Sequence, residues 1–282
     1  MCDCLVALPP ATASGRTLFA KNSDRPPSEM QVVERVPPRC EATTKATHIE
    51  IDGPGKETIA FVGSRPTWMW GVEHGVNAAG VAAGNATIYT TLDPRGVPDG
   101  LTGMDLVRLA LERAPTASEA VDLIGVLLRR HGQGGTGHDG VDRPYWSSFL
   151  VADPRQAFVI ETSGSEFAVE PVLRTRTTSN RTTIPSFDAE HRHPGQPVDR
   201  LVDRRLAASK AVLGAEPVTV DALKAHLRSH VGGEDGYTIC MHVPGVEVTA
   251  ASMIAELPVD GPPHAWFLTG SPCGGEYTRI DP

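Results

Sequence analysis

The chain has 282 residues, with 26 basic against 34 acidic side chains and a formal net charge of −8, a balance that leaves no basic footprint for nucleic acid or for an anionic membrane surface. No apolar run approaches the roughly 18 residues that a membrane span needs, and no charged n-region with an apolar h-region marks a signal peptide. The five cysteines, at positions 2, 4, 40, 240 and 273, are odd in number and make no disulfide framework, which points to the reducing cytoplasm.

The length is ample for a buried core, read here as one domain over 1–282. It opens on Met1-Cys2-Asp3-Cys4, followed by the apolar stretch Leu5-Val6-Ala7-Leu8. Ser14-Gly15 marks a turn, and Thr17 to Asn22 reads as a return strand, so a hairpin is predicted at the start of the fold. Cysteine is small enough for methionine aminopeptidase to remove Met1 before it. Cys2 would then carry a thiol and a free α-amine on one residue. That amine has an ordinary pKa of about 7.7–8.0, so near neutrality it is in part a base beside its own nucleophile. A sheet-bound terminus holds such a pair in place, and the hairpin returns Lys21, Asn22 and Asp24 beside it. The bland alternative is a small hydrophobic cysteine at a frayed end.

Residues 25–45 are rich in proline and charge and are predicted to run over the surface. His48 to Ile51 and Thr58 to Val62 pattern as strands. Ser64 to Gly71 reads as a loop carrying Trp68 and Trp70, which are either packing residues or the lip of a pocket. Gly75 to Gly80 reads as a turn. Val81 to Asn85 is a small-residue strand that lets another backbone approach and ends on an amide. Taken alone, Asn85 fits an amide donor and a turn residue equally.

Helical spacing follows over Gly103 to Arg113. A second helix runs from the capping sequence Thr116-Ala117-Ser118-Glu119 to Gly132. The glycine-rich segment from His131 to His138 reads as a flexible cover. Strands are predicted at 148–152, 157–161 and 167–170. After an exposed connection over 189–199, helical patterns span about 198–213 and 219–230. Three closing strands are expected at 237–241, 248–255 and 265–269. Strands in runs, with helices between the runs, indicate an α+β layered fold.

Several chemistries find no support. Cys2-Asp3-Cys4 is too tightly spaced for a usual zinc pair, and His191 and His193 have no thiol partners nearby. There is no G-x-S-x-G elbow and no phosphate loop. Neither a metal nor a cofactor is therefore implied.

The ordered set Cys2-Asp3, Pro9-Pro10, Lys21-Asn22-Ser23-Asp24-Arg25, Ser64-Arg65-Pro66, Trp68-Met69-Trp70-Gly71, Gly103 to Leu109, Gly132-Gln133-Gly134-Gly135 and Leu268-Thr269-Gly270 resembles the secernin family. Secernins group with the C69 dipeptidases, a branch of the N-terminal-nucleophile hydrolases. The resemblance is dense over about 2–30, 60–136 and 147–181, returns near 249–272, and is thin across 185–235.

It implies a four-layer αββα sandwich and cysteine-dependent hydrolysis of a small peptide or amide, with Cys2 as nucleophile and Cys4 as its competitor. It further implies Lys21 and Asp24 as the charged residues flanking the thiol, where many relatives have arginine in place of Lys21. Asn85 would be the oxyanion donor, and Asn180 and Arg181 an amide and a cation near the leaving group. Two other readings remain: an amidase or acyltransferase acting on N-acyl amino acids, and a non-catalytic regulatory protein on the same scaffold. Homo-oligomerisation is left open.

Overall fold

A computed structural model describes residues 1–231, 233 and 235–282. The strands are β1 (Cys2–Ala7), β2 (Thr17–Arg25), β3 (Gln31–Val36), β4 (Thr43–Lys45), β5 (Glu50–Asp52), β6 (Phe61–Pro66), β7 (His74–Asn77) and β8 (Ala82–Ile88). Helices α1 (Gly103–Arg113) and α2 (Ala117–His131) separate these from β9 (Trp146–Ala152), β10 (Ala157–Ser163), β11 (Glu166–Pro171) and β12 (Thr175–Thr178). Next come α3 (Pro185–His191), α4 (Arg204–Gly214) and α5 (Val220–Leu227). The chain closes on β13 (His242–Val243), β14 (Glu247–Leu257), β15 (His264–Thr269) and β16 (Thr278–Arg279).

Two seven-stranded antiparallel sheets form the centre. The first has the order β12-β1-β2-β14-β15-β16, with β13 on β14, and the second the order β11-β10-β9-β8-β7-β6-β3. Strand alternation divides their side chains among three apolar layers. In β1, Cys4 and Val6 point between the sheets with Phe19, Val76, Ala82 and Leu150. Leu5 and Ala7 point outward to Leu213, Leu223 and Leu227 of α4 and α5. On the other side, Ala83, Phe149 and Ile160 meet Leu106, Leu109, Leu111 and Leu128 of α1 and α2. Helix, sheet, sheet and helix are thus stacked in an αββα sandwich.

The opening hairpin forms in the register Cys2↔Ser23 and Cys4↔Lys21. Helix α1 begins at a full capping box, with Thr102 and Asp105 satisfying each other's backbone N–H groups. Thr116 caps α2 through Glu119 N.

Four expectations need correction. The proline-rich stretch contains β3, which closes the edge of the second sheet against β6. Ser64 to Pro66 belongs to β6 rather than to a loop, and His74 to Asn77 is a strand rather than a turn. Tyr237 to Met241 is not a strand; it is a tight loop, held by Thr238 N and His242 N donating to Gly236 O. Among the described residues, no helix is long and apolar enough to cross a membrane.

Candidate active site

Cys2 opens β1 on the face that looks between the sheets, two residues before Cys4. Its Sγ lies 3.5 Å from Lys21 Nζ, which reaches across from β2. Gly84 on β8 makes room for that lysine, since a Cβ there would stand 2.6 Å from Lys21 Cδ. The ammonium, with its residue fully buried, also donates to Ser23 Oγ at 2.5 Å and lies 3.7 Å from Glu73 Oε2. Ser23 Oγ in turn contacts His74 Nδ1 at 3.0 Å.

Burial pushes the Cys2 thiol up, and the Lys21 charge works against that shift. Burial also works against the Lys21 charge, but Cys2 and Glu73 outweigh it and hold the ammonium above its ordinary value. Glu73 is desolvated too, yet Arg25 and Lys21 keep it down at about 2. Burial together with the Lys21 charge keeps His74 neutral. A thiol is thereby placed beside a permanent cation, where a thiolate is stabilised at the moment it forms.

The backbone nitrogen of Cys2 is held just as firmly. It donates to Asn180 Oδ1 at 3.0 Å, and Asn180 Nδ2 donates across to Thr87 O of the second sheet at 2.9 Å. Arg205 of α4 donates to Asn180 Oδ1, to Asp3 Oδ2 at 2.7 Å and to Cys2 O.

Ahead of Cys2, the Met1 ammonium donates to Glu247 Oε2 at 2.7 Å and to Asp24 O at 3.0 Å, while Asp24 N donates to Met1 O at 2.7 Å. Met1 therefore extends β1 by one residue along β2. Glu247 is kept below its usual range: burial pushes its carboxyl up, but the ammonium and Arg143 prevail.

The predicted residues divide by position. Cys2, Asp24 and Asn85 line one small cavity, together with Met1, Glu73, Tyr145, His138 and Glu247. Asn85 donates to Met104 Sδ at 3.2 Å, and its Oδ1 is buried without a hydrogen-bond partner. Asn180 lines the adjoining cleft of about 290 Å³ with Tyr89, Arg143, Leu201, Tyr237 and Glu247. Past Tyr89, Arg143 and His193 lies a further cavity of about 600 Å³. The glycine-rich segment reaches the site after all, because Arg25 donates to Gly137 O and His138 lies in the cavity wall.

Three residues point elsewhere. Arg181 is taken up by Asp203 at 2.7 Å and Asp188 at 3.8 Å. Trp70 lies under the Arg108 guanidinium, 4.4 Å from ring centroid to charge, and packs on the outer helical layer. Trp68 stands behind the cavity, packed on Met69, Met104 and Tyr145, with its Nε1 donating to Glu29. Cys4 is sealed in the inter-sheet core, where burial pushes its thiol up to about 12.

Glu73, Arg205, Glu247, Tyr145 and Ser23 were not anticipated. Only Ser23 carried a usable signal, because it faces the same way as Lys21 on a strand of period two.

Asp24 borders the cavity, but on β2 its side chain alternates with Lys21 and Ser23 and faces the helix side, so it does not flank the thiol as expected. Its Oδ1 accepts from Thr249 Oγ1 at 2.7 Å, while Oδ2 has no hydrogen-bond partner among the described residues. Burial raises this carboxyl to about 7, although the terminal ammonium and Arg205 pull it down. An unfolded aspartate titrates near 3.9, so between about pH 4 and pH 7 the folded chain holds one proton more than the unfolded chain. That contribution to stability is complete below pH 4 and is lost as pH rises through about 7. In denaturant titrations of the chain retaining Met1, Asp24→Asn is expected to gain stability over the wild type across this window, then run parallel to it. A stability difference that stays flat from pH 4 to 8 contradicts the assignment.

No family model matches the chain. Among solved structures, a mutant of the conjugated bile acid hydrolase from Clostridium perfringens superposes with a TM-score of 0.62 at 13% identity, covering 100% of this chain and 92% of that one. Penicillin V acylase from Agrobacterium tumefaciens gives 0.57 at 12% identity, over 95% and 82%. The Caenorhabditis elegans ortholog of N-acylethanolamine-hydrolyzing acid amidase gives 0.54 at 14% identity, over 89% and 91%. The fold is that of the N-terminal-nucleophile hydrolases. Within this fold β1 pairs with β2 and β12 in the first sheet, and strand alternation turns Cys2, like Cys4, toward the second sheet.

Proposed function

We propose that the chain is a cysteine N-terminal-nucleophile hydrolase that cleaves amide bonds of small peptides in the manner of a dipeptidase once Met1 has been removed. One observation carries this reading: the thiol of the second residue sits against a buried lysine while its own nitrogen is fixed by Asn180. Trimming by methionine aminopeptidase belongs to the nascent chain, because in the fold the Met1 ammonium is buried between Glu247 and Asp24.

The freed amine of Cys2 accepts the thiol proton, and Lys21 steadies the thiolate. Sulfur adds to the substrate carbonyl, and Asn85 supplies a donor for the oxyanion. The ammonium returns its proton to the departing nitrogen as the C–N bond breaks, leaving a thioester. Water, deprotonated by the same amine, then splits the thioester into acid and thiol.

Met1 itself indicates the substrate. Removing it leaves the Glu247 carboxylate, the Asp24 carbonyl and the Asp24 N–H facing the emptied place. A peptide whose first residue enters there would put its ammonium on Glu247 and Asp24 O, with its carbonyl beside Cys2. The secernin and C69 resemblance supports the same reading.

The second reading, an amidase or acyltransferase on N-acyl substrates, is favoured by the cleft beyond. Pro197, Leu201, Tyr237 and Val246 give it an apolar wall suited to an acyl chain. The structural neighbours include an acylase and an N-acylethanolamine-hydrolyzing amidase.

Intact mass of active protein is expected to show Met1 absent, with a thiol-reactive acyl probe captured on Cys2. Hydrolysis should favour dipeptides with a free amine over their N-acyl counterparts. Retention of Met1 in active enzyme ends the mechanism. A trimmed chain that takes no label returns the molecule to a non-catalytic scaffold.

A further inference from the structure

Away from the cleft, where β13 and β14 meet the 3₁₀ turn over Pro272–Gly274, four side chains converge that the proposed chemistry does not use. They are His230, Cys240, His242 and Cys273, whose ligand atoms all lie within 4.8 Å of one another. His242 Nε2 is 3.4 Å from Cys240 Sγ and 3.3 Å from Cys273 Sγ. The His230 and His242 rings meet edge to face with centroids 5.0 Å apart. A tetrahedral zinc ion, with Zn–S near 2.3 Å and Zn–N about 2.0–2.1 Å, sets its sulfur and nitrogen ligands roughly 3.5 Å apart. The two contacts of His242 with the cysteines already match that spacing.

We propose that His230, Cys240, His242 and Cys273 form a structural zinc site. Two thiols and two imidazoles are a donor set for zinc and not for magnesium or calcium, which take oxygen. On binding, both thiols release their protons to solvent, and the two thiolates neutralise the dication. Four protein ligands complete a tetrahedron with no open position, so the role is structural rather than catalytic.

The segments that carry the ligands are held by bonds independent of any metal. Cys240 N donates to Ser229 O and His242 N to Gly236 O. Arg228 ties the opposite turn down by donating to Pro272 O and Gly275 O. Gly236 is required here, since a Cβ at its positive φ of 82° would stand 2.1 Å from His242 O. The ion would clamp His230 and the segment from 235 to 242 onto the 272–274 turn. That stretch carries Tyr237 to the wall of the cleft and leads into Glu247.

Full-length protein purified in reducing buffer is expected to hold about one zinc per chain by elemental mass spectrometry, the stoichiometry of a four-ligand site. After chelation, titration with Co²⁺ should give the thiolate-to-metal charge-transfer band and the strong visible bands of a tetrahedral thiolate site. Cys273 is exposed, so Cys273→Ser should keep the wild-type circular dichroism while its zinc affinity falls by about tenfold or more, and His242→Ala should do the same. Three results would overturn the proposal: wild-type protein that binds neither zinc nor cobalt, Cys273→Ser retaining zinc at wild-type affinity, or a Cys240–Cys273 disulfide recovered from reduced protein.

Discussion

Cys2→Ala is expected to lower kcat by about 10⁴–10⁶, the scale on which removing a nucleophile acts in an assembled site, and to leave the fold intact. The substitution deletes one sulfur at the end of β1 and keeps the strand's backbone pairing with Ser23. The amine would still form after trimming, held by Asn180, so the variant isolates the sulfur from the base. Cys4→Ala is the matched control. Cys4 is fully buried in the inter-sheet core, so its loss should cost stability by about 1–2 kcal/mol and leave kcat essentially unchanged. Initial rates on a free dipeptide, measured alongside thermal unfolding, separate the two. Cys2→Ala with wild-type turnover would remove the thiol from the reaction, and activity lost in Cys4→Ala alone would move the nucleophile two residues along the strand.

The contrast between these neighbours also shows what the sequence could disclose. The hairpin was legible because apolar residues and a Ser-Gly turn bracket it, and its register then places Lys21 opposite Cys4 and within reach of Cys2. Helices α1 and α2 were legible because their caps and periodicity agree. The sandwich itself came from the secernin resemblance, since alternation within strands does not say which sheets face each other.

Tyr237 to Met241 misled because its alternation imitates a strand. In the fold Thr238, Ile239, Cys240 and Met241 are all buried in a loop whose backbone turns at Gly236. Glu73, Arg205 and Glu247 were not readable at all. Each is an isolated charged residue whose meaning lies in contacts distant in sequence, Arg205 with Asp3 and Glu247 with the terminus. Arg205 brings its guanidinium from α4 to Asp3, Asn180 and the Cys2 carbonyl, whereas the contact with the Cys2 thiol is made by Lys21 of β2.

Glu247→Gln is expected to change which substrate is used rather than whether the chemistry runs. In the chain retaining Met1, this largely buried carboxylate accepts a hydrogen bond from an α-ammonium at 2.7 Å. Glutamine keeps the shape and one acceptor oxygen but removes the charge. Truncating one partner of a buried, hydrogen-bonded charge pair costs about 2–5 kcal/mol, so kcat/KM for free dipeptides should fall by about 10²–10³. N-acetylated counterparts bring no ammonium and should lose almost nothing, so the preference between the two classes narrows or inverts. The label trapped on Cys2 should persist, because Glu247 contacts neither the thiol nor Lys21 through any hydrogen bond or ion pair among the described residues. An equal loss on both substrate classes would make Glu247 a structural support for the terminus. Unchanged kcat/KM on free dipeptides would mean that the ammonium is recognised elsewhere, and the N-acyl reading would then be the better account of the cleft.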